Sequence, residues 1–278
     1  MSTGRDDALI TSPGNPRLKA AAALRDRTAR TTAGRTLVDG ARELRRALEA
    51  GVQVVEAFVC ESRLAGIDAR VALDLLRARG VPIVVVSEAA FGRVAFGDRD
   101  EGLVAVIPVA SGRLADLRIG PAPLIVVIED VQKPGNVGAV LRSADGAGAD
   151  ALIAAAGATD LANPNVIRAS AGTVFAVQTA AADPDEVIAW LRERGIRIVA
   201  ARVDGADAYT EVDLTGPLAI AVGSEAAGLS EAWSAPDIQA VRLPMRGVAD
   251  SLNVSVSAAI LLYEARRQRD PATLTSAD

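Results

Sequence analysis

The second half of this chain contains apolar runs that do not alternate with polar residues: Leu124 to Ile128, Ala151 to Ala154, Ile196 to Ala200 and Leu218 to Val222. A strand with one face in water alternates, because successive side chains point to opposite sides, whereas a strand covered on both faces does not. Helical patterns over 137–147, 184–194 and 252–267 separate most of these runs, and further strands are predicted at 174–178 and 238–242. Covered strands joined through helices predict a parallel sheet with helices on both faces. In such a sheet the carboxyl ends of the strands share one edge, and the loops that follow them gather where α/β proteins bind their ligands.

Three of these loops differ from ordinary connections. In the first, the strand pattern ends at Glu129 and Asp130, and Pro134, Gly135 and Asn136 turn the chain into a helix for which Asn136 is the expected cap. Gly138 and Arg142 are four apart and share a helix face, so the missing side chain leaves room for a ligand beside the guanidinium. The plain alternative is a surface helix in which Arg142 pairs with Asp145. In the second loop, Gly223, Ser224 and Glu225 follow the run at 218–222, with Gly228 beyond them. A glycine at a strand's carboxyl end lets a ligand lie against the backbone, although the same pattern serves a common turn. In the third, Ser251, Asn253, Ser255 and Ser257 alternate with Leu252, Val254 and Val256 at the start of an apolar helix. Polar groups at that density need partners, which backbone carbonyls of the preceding turn also supply. Gly135 and Gly138 do not make GxGxxG and no Gly-Lys-Ser/Thr follows, which argues against dinucleotide and P-loop folds.

Absences narrow the chemistry. The chain has no histidine, which excludes His-based catalytic triads and zinc sites that mix Cys with His. Cys60 ends an apolar run, reads as a buried structural thiol and has no disulfide partner within the chain. No acidic cluster calls for a metal ion. No stretch reaches the roughly 20 apolar residues of a membrane span, and the first residues lack the apolar segment of a signal peptide, so a cytoplasmic protein is expected. Any reaction falls to Arg, Asp, Glu, Ser, Asn and backbone groups.

The first half reads as a separate small α/β domain. Asn15 caps a helix opened by Pro16, followed by strands at 36–38, 54–59, 83–86 and 102–107 and helices at 41–50 and 69–79. The Gly-, Pro- and Ala-rich stretch around 109–123 is the linker candidate, giving a first domain over 1–110, a linker at 111–122, a second domain over 123–270 and a polar, frayed tail at 271–278. The net charge is −5, yet residues 14–46 hold nine basic side chains against three acidic ones. Arg17, Lys19, Arg25, Arg27 and Arg30 lie in this patch, which suits RNA phosphates; the bland alternative is a solvated helix face.

Taken in order, the three loops resemble the SpoU branch of the SPOUT-class RNA ribose 2′-O-methyltransferases. The resemblance rests on Asn136, Gly138 and Arg142, on Gly223, Ser224, Glu225, Gly228 and Leu229, and on Leu243, Pro244 and Met245 followed by Ser251, Leu252, Asn253, Val254 and Ser255. The run from Arg168 to Phe175 is similar to the family's segment between the first two blocks, and Ser12 to Arg17, Leu37 to Gly40 and Asp100 to Val106 are similar to its accessory domain. The resemblance implies a trefoil-knotted parallel-sheet catalytic domain preceded by a small α/β, L30e-like substrate-binding domain, and a homodimer packed partly through the last helix. It implies S-adenosylmethionine held at Gly223, Leu243 and Leu252, with Val222, Ser224, Pro244 and Met245 beside them. It gives Arg142, Asn136, Glu225, Ser251 and Asn253 to the reacting ribose, and Arg168 to phosphate. The implied substrate is RNA, 23S ribosomal RNA ahead of tRNA because an accessory domain precedes the catalytic one, with resistance to a ribosome-directed antibiotic as one use. The alternatives are a tRNA ribose methyltransferase and a catalytically idle RNA-binding protein.

Overall fold

The structure is a computed structural model and describes residues 9–96, 101–109, 112–157 and 159–270. The tail at 271–278, expected to fray, lies outside the described residues. The chain forms two compact units: Met1–Ala110 with Ala162–Ala176, and Ser111–Leu161 with Val177–Asp278.

In the first unit, Asn15 caps α1 (Pro16–Ala23) by accepting from the Arg17 amide at 2.8 Å. Asp26 caps a second helix that the sequence pattern did not predict, α2 (Arg27–Ala33), and Gly34 ends it in the left-handed region. Then follow β1 (Arg35–Asp39), α3 (Ala41–Glu49), β2 (Glu56–Val59), α4 (Gly66–Ala78), β3 (Ile83–Val85), α5 (Glu88–Val94) and β4 (Leu103–Pro108). The α5 helix, capped by Ser87, was also missing from the sequence prediction. The sheet runs β1-β4-β2-β3, with β4 antiparallel to both neighbours and β2 parallel to β3. Alternate residues feed two cores. Val38, Ala57, Val59 and Leu103 pack with Leu44 and Leu48 of α3 and Leu76 of α4, while Leu37, Phe58 and Val104 pack with Leu18 of α1 and Phe91 of α5.

The second unit carries the covered parallel sheet. Its strands and helices are β5 (Leu124–Glu129), α6 (Pro134–Gly146) and β6 (Ala151–Ala155); the chain then returns to the first unit to form α7 (Pro164–Ala169) before β7 (Gln178–Ala182). The remainder is α8 (Pro184–Glu193), β8 (Arg197–Ala201), β9 (Asp207–Ala208), β10 (Leu218–Val222), β11 (Ile238–Arg242) and α9 (Val254–Arg269). All pairings are parallel in the order β7-β6-β5-β10-β8-β11-β9. Every residue of β5, β6 and β10 is buried, which is why none of the three alternates. The carboxyl ends of β5, β10 and β11 lie on one edge, and the three distinctive loops start there.

Three expectations are corrected. Residues 174–178 do not form a strand: 173–175 make a single 3-10 turn and β7 starts at Gln178. The cause is packing, because Val174 and Phe175 sit with Ile167 against the core of the first unit. That is the second correction, since the whole segment 162–176, placed by the sequence pattern in the second domain, belongs to the first unit. It is held there by Thr36 Oγ1 donating to the Ala162 carbonyl at 2.6 Å and by Arg46 donating to the Ala171 carbonyl at 2.8 Å. Gly172, at φ +84, passes so close to Arg46 and Glu43 that a side chain there would meet them at 3.2 Å. Third, α6 begins at Pro134 with Lys133 as its cap residue, so Asn136 lies inside the first turn and does not cap it. Proline at the first helical position loses no hydrogen bond, which sets the start three residues early.

Candidate active site

The second loop closes on itself. The Gly228 amide donates to the Ser224 carbonyl at 2.9 Å and the Ala227 amide to Ser224 Oγ at 3.2 Å. A β-carbon on Gly223 would overlap the backbone of Gly228 and Leu229, and Gly228 itself has φ +69. Both glycines are therefore demanded by the turn. Glu129, buried at the end of β5, fastens this loop to the first one: its carboxylate accepts from the Ser230 amide at 2.6 Å and from Ser230 Oγ at 2.7 Å. A buried carboxylate without such partners would be costly, so the pair fixes where the turn ends.

Glu225 is then carried to a point where all three loops meet. Its Oε1 accepts from Asn136 Nδ2 at 2.8 Å and from Asn253 Nδ2 at 2.5 Å, and its Oε2 accepts from Lys133 Nζ at 2.5 Å. Asn253 Nδ2 also donates to Asn136 Oδ1 at 3.2 Å. The other end of Asn253 is used as well, because its Oδ1 caps α9 by accepting from the Ser255 amide at 2.9 Å and from Ser255 Oγ at 2.6 Å. The amide is thus a cap on one side and a cross-link on the other, which fixes its orientation. Hydrogen bonds from Lys133 first, and from Asn136 next, hold the Glu225 carboxyl below the usual carboxylate range. The sequence pattern brought Asn136, Glu225 and Asn253 to one edge; it missed Lys133, whose only signal was its position beside the Pro-Gly-Asn turn.

Beside this network lies a cleft of about 830 Å³. Val222, Gly223, Ser224, Leu243, Pro244, Met245 and Leu252 all line it, so the residues singled out for a cofactor are brought together, and Ser251, expected at the acceptor, lines it as well. Asp204, Glu225, Glu231 and Asp250 also line it, together with two arginines. Both arginines are engaged: Arg202 with Asp204 at 2.9 Å, and Arg242 with the Gly205 carbonyl at 2.8 Å. The cleft suits a cationic ligand with an apolar end. Among the described residues no group of His, Cys, Asp or Glu is arranged to hold a metal ion.

Arg142 stands apart. It is exposed on α6, does not line the cleft, and makes no hydrogen bond or ion pair with a described residue, so the expected alternative pairing with Asp145 does not form. Gly138, expected to leave room beside it, is buried on the packed side of the helix.

In the first unit the basic patch divides. Arg30 is 3 % exposed and donates to the Leu24 and Arg25 carbonyls, which removes it from any surface. Arg168 pairs with Asp39 at 3.3 Å, the two side chains 15 % and 3 % exposed, so it supports the fold and is not open to phosphate. Arg25 donates to the Arg93 and Ala95 carbonyls beneath the Phe96 ring, and Arg17 pairs with Glu56 at 2.5 Å. Lys19 and Arg27 are exposed.

A parallel α/β sheet with its polar network and cleft at the carboxyl edge defines the class: an α/β ligand-binding domain in a chain with a second, smaller α/β unit. Residues 123–263 match the SpoU rRNA Methylase family and residues 15–105 the MRM3-like substrate binding domain. The chain belongs to the SpoU rRNA Methylase family. It is 34 % identical over 259 residues to the 23S rRNA (uridine(2479)-2′-O)-methyltransferase of Streptomyces viridochromogenes, covering 89 % of this chain and 88 % of that one. It is 28 % identical to the 23S rRNA (guanosine(2553)-2′-O)-methyltransferase RlmP of Bacillus subtilis (strain 168), covering 92 % and 98 %. Among solved structures, an RNA 2′-O ribose methyltransferase superposes with a TM-score of 0.82 at 44 % identity, covering 94 % of this chain and 99 % of that one. The SpoU methyltransferase AviRb from Streptomyces viridochromogenes in complex with the cofactor AdoMet superposes with a TM-score of 0.81 at 32 % identity, covering 91 % and 98 %.

Proposed function

We propose that this protein is an S-adenosylmethionine-dependent methyltransferase acting on a ribose 2′-hydroxyl of 23S ribosomal RNA. The observation that supports it most directly is the joining of three loops through Glu225 beside a cleft lined by Gly223, Leu243 and Leu252. The residues present suit the methyl donor. About 830 Å³ falls within the roughly 300–1,000 Å³ of small-molecule sites, the leucines offer an apolar wall, and the carboxylates match a cation. Val222, Gly223, Ser224, Leu243, Pro244, Met245 and Leu252 would hold it. When bound, S-adenosylmethionine supplies a methyl group on a positively charged sulfur, a good leaving group, so positioning of the acceptor provides much of the acceleration.

Arg142 orients the acceptor hydroxyl and its neighbouring phosphate and stabilises negative charge growing on the oxygen. Its guanidinium keeps its proton, so it does not serve as a base. Asn136, Glu225 and Asn253 hold the loops in register, and Ser251 lines the cleft where the ribose would enter. On this reading the protein is a cytoplasmic homodimer packed partly through α9, whose Val256 and Tyr263 are exposed, and its second unit is knotted. Because Arg142 does not line its own cleft, the second protomer would supply it. Mixing Arg142→Ala with Glu225→Gln protomers tests this: restored transfer in the mixed dimer is expected, and continued inactivity would place the arginine within one chain. Exposed Lys19 and Arg27 of the first unit, with Arg17 and Arg25 beside them, contact RNA phosphates.

Transfer of tritiated methyl groups to 23S ribosomal RNA and tRNA from an unmodified strain, followed by mapping, tests the substrate. Label confined to one ribose of 23S ribosomal RNA is the expected result. Label on tRNA would favour a tRNA enzyme, and absent donor binding in calorimetry would favour an idle RNA-binding protein. Protection of a sensitive strain expressing the chain would extend the function to antibiotic resistance.

A further inference from the structure

The cation on Glu225 is a lysine in a chain that otherwise uses arginine: of 30 basic residues only Lys19 and Lys133 are lysines. Lys133 is the cap residue of α6, yet its side chain makes no cap hydrogen bond, and Pro134 at the first helical position fixes the start of the helix without it. The side chain is 75 % exposed and is not part of the core. Its hydrogen bond to Glu225 Oε2 is thus the one polar contact it makes with the described residues. That contact has a geometric consequence. An ammonium is a point charge that takes a single oxygen, which leaves Oε1 to Asn136 and Asn253 together. A guanidinium fork pairs with both oxygens of a carboxylate and would compete with those amides.

We infer that Lys133 is a positioning residue for methyl transfer, acting through Glu225 by neutralising one carboxylate oxygen so that the other stays bonded to both asparagines. The inference rests on the methyltransferase reading above. Without the lysine, Glu225 keeps its two amide donors but loses its only cationic partner among the described residues, and rotation of the carboxylate loosens the first loop from the second and third. Lys133 does not itself line the cleft or belong to the core and reaches the cleft only through Glu225, so its loss is expected to change donor binding and folding little.

The test uses the full chain with Lys133→Met, which keeps the stem and removes the charge, and Lys133→Arg, which keeps the charge. In single-turnover transfer Lys133→Met is expected to lower the rate about tenfold, as for loss of one charge-assisted contact. The donor Kd and the thermal midpoint should stay within about twofold and about 2 °C of the parent. Lys133→Arg should recover part of the rate, held below the parent by competition for Oε1. A parent-like rate in Lys133→Met, a loss carried by donor Kd, or a Lys133→Arg rate no better than Lys133→Met would each overturn the inference. A separate readout is the Glu225 carboxyl followed by NMR with selectively labelled glutamate. Its titration should move toward the ordinary range in Lys133→Met, and an unmoved titration overturns the inference even where the parent shows no transfer to any RNA. An inactive parent with a shifted titration would instead overturn the methyltransferase reading alone.

Discussion

The two units use polar side chains in opposite ways. In the first, arginines expected at an RNA surface or in the basic patch are held within the fold: Arg30 by two carbonyls, Arg46 by the Ala171 carbonyl and Arg168, the separate phosphate candidate, by Asp39. In the second, neutral and acidic groups that look like separate turns converge on one carboxylate, while Arg142 is left without a partner among the described residues. A count of charges along a chain therefore says little about which cations are available to a ligand. The fold decides it, through carbonyls five and six residues away for Arg30 and through partners more than 100 residues away for Arg46 and Arg168.

The sharpest break between the two kinds of arginine is Arg142 against Arg168. Arg142→Ala should lower methyl transfer by about 10³-fold or more, the scale of losing a group that stabilises developing charge, while calorimetric donor binding stays near normal. Weakened donor binding with normal turnover would sink its role at the acceptor. Arg168→Met should act through the fold. It removes the Arg168 ion pair from the buried Asp39 carboxylate, at a cost of about 3 kcal/mol, seen as a lower midpoint of thermal unfolding. Lost RNA affinity at an unchanged midpoint would return Arg168 to the RNA surface.

How much of this was legible depended on the range of the interaction. The cap at Asn15, the strand at 218–222 and the helix after Asn253 are written in neighbouring residues, and the structure places them there. The return of 162–176 to the first unit was not legible. Ile167, Val174 and Phe175 read as apolar anywhere, and only the first unit's core, at least 60 residues earlier, selects their conformation. For the site, the residue types at 136, 225 and 253 with their glycine neighbours brought the right loops to one edge. The bond between Lys133 and Glu225 spans 92 residues and leaves no local pattern, and the burial of Arg30 follows from a fold that a charge count cannot see.

Acidity tests the other side of the comparison, the carboxylate that joins the loops. The folded Glu225 carboxyl titrates below its ordinary value, so its contribution to stability is complete above about pH 4 to 5 and is lost as pH falls through the depressed value. The difference in unfolding midpoint between the parent and Glu225→Gln should accordingly be constant at neutral pH and shrink in acid. A difference that grows in acid would mean that the carboxyl is raised in the folded protein and that Lys133 is not its counter-ion.

The smallest effect belongs to the part of the patch that stays exposed. Lys19 lies on α1 with no partner among the described residues, whereas Arg17, two positions away, pairs with Glu56. A lysine that meets one phosphate releases about one counterion, so Lys19→Ala should weaken RNA binding only about two- to threefold near physiological salt and reduce the slope of log affinity against log salt by about one. Arg30→Met should leave that slope unchanged and lower the unfolding midpoint, because its guanidinium is committed to the Leu24 and Arg25 carbonyls. Equal salt slopes for the two variants would put Lys19 outside the RNA contact and leave the first unit gripping RNA through shape and 2′-hydroxyl contacts, with its cations serving the fold.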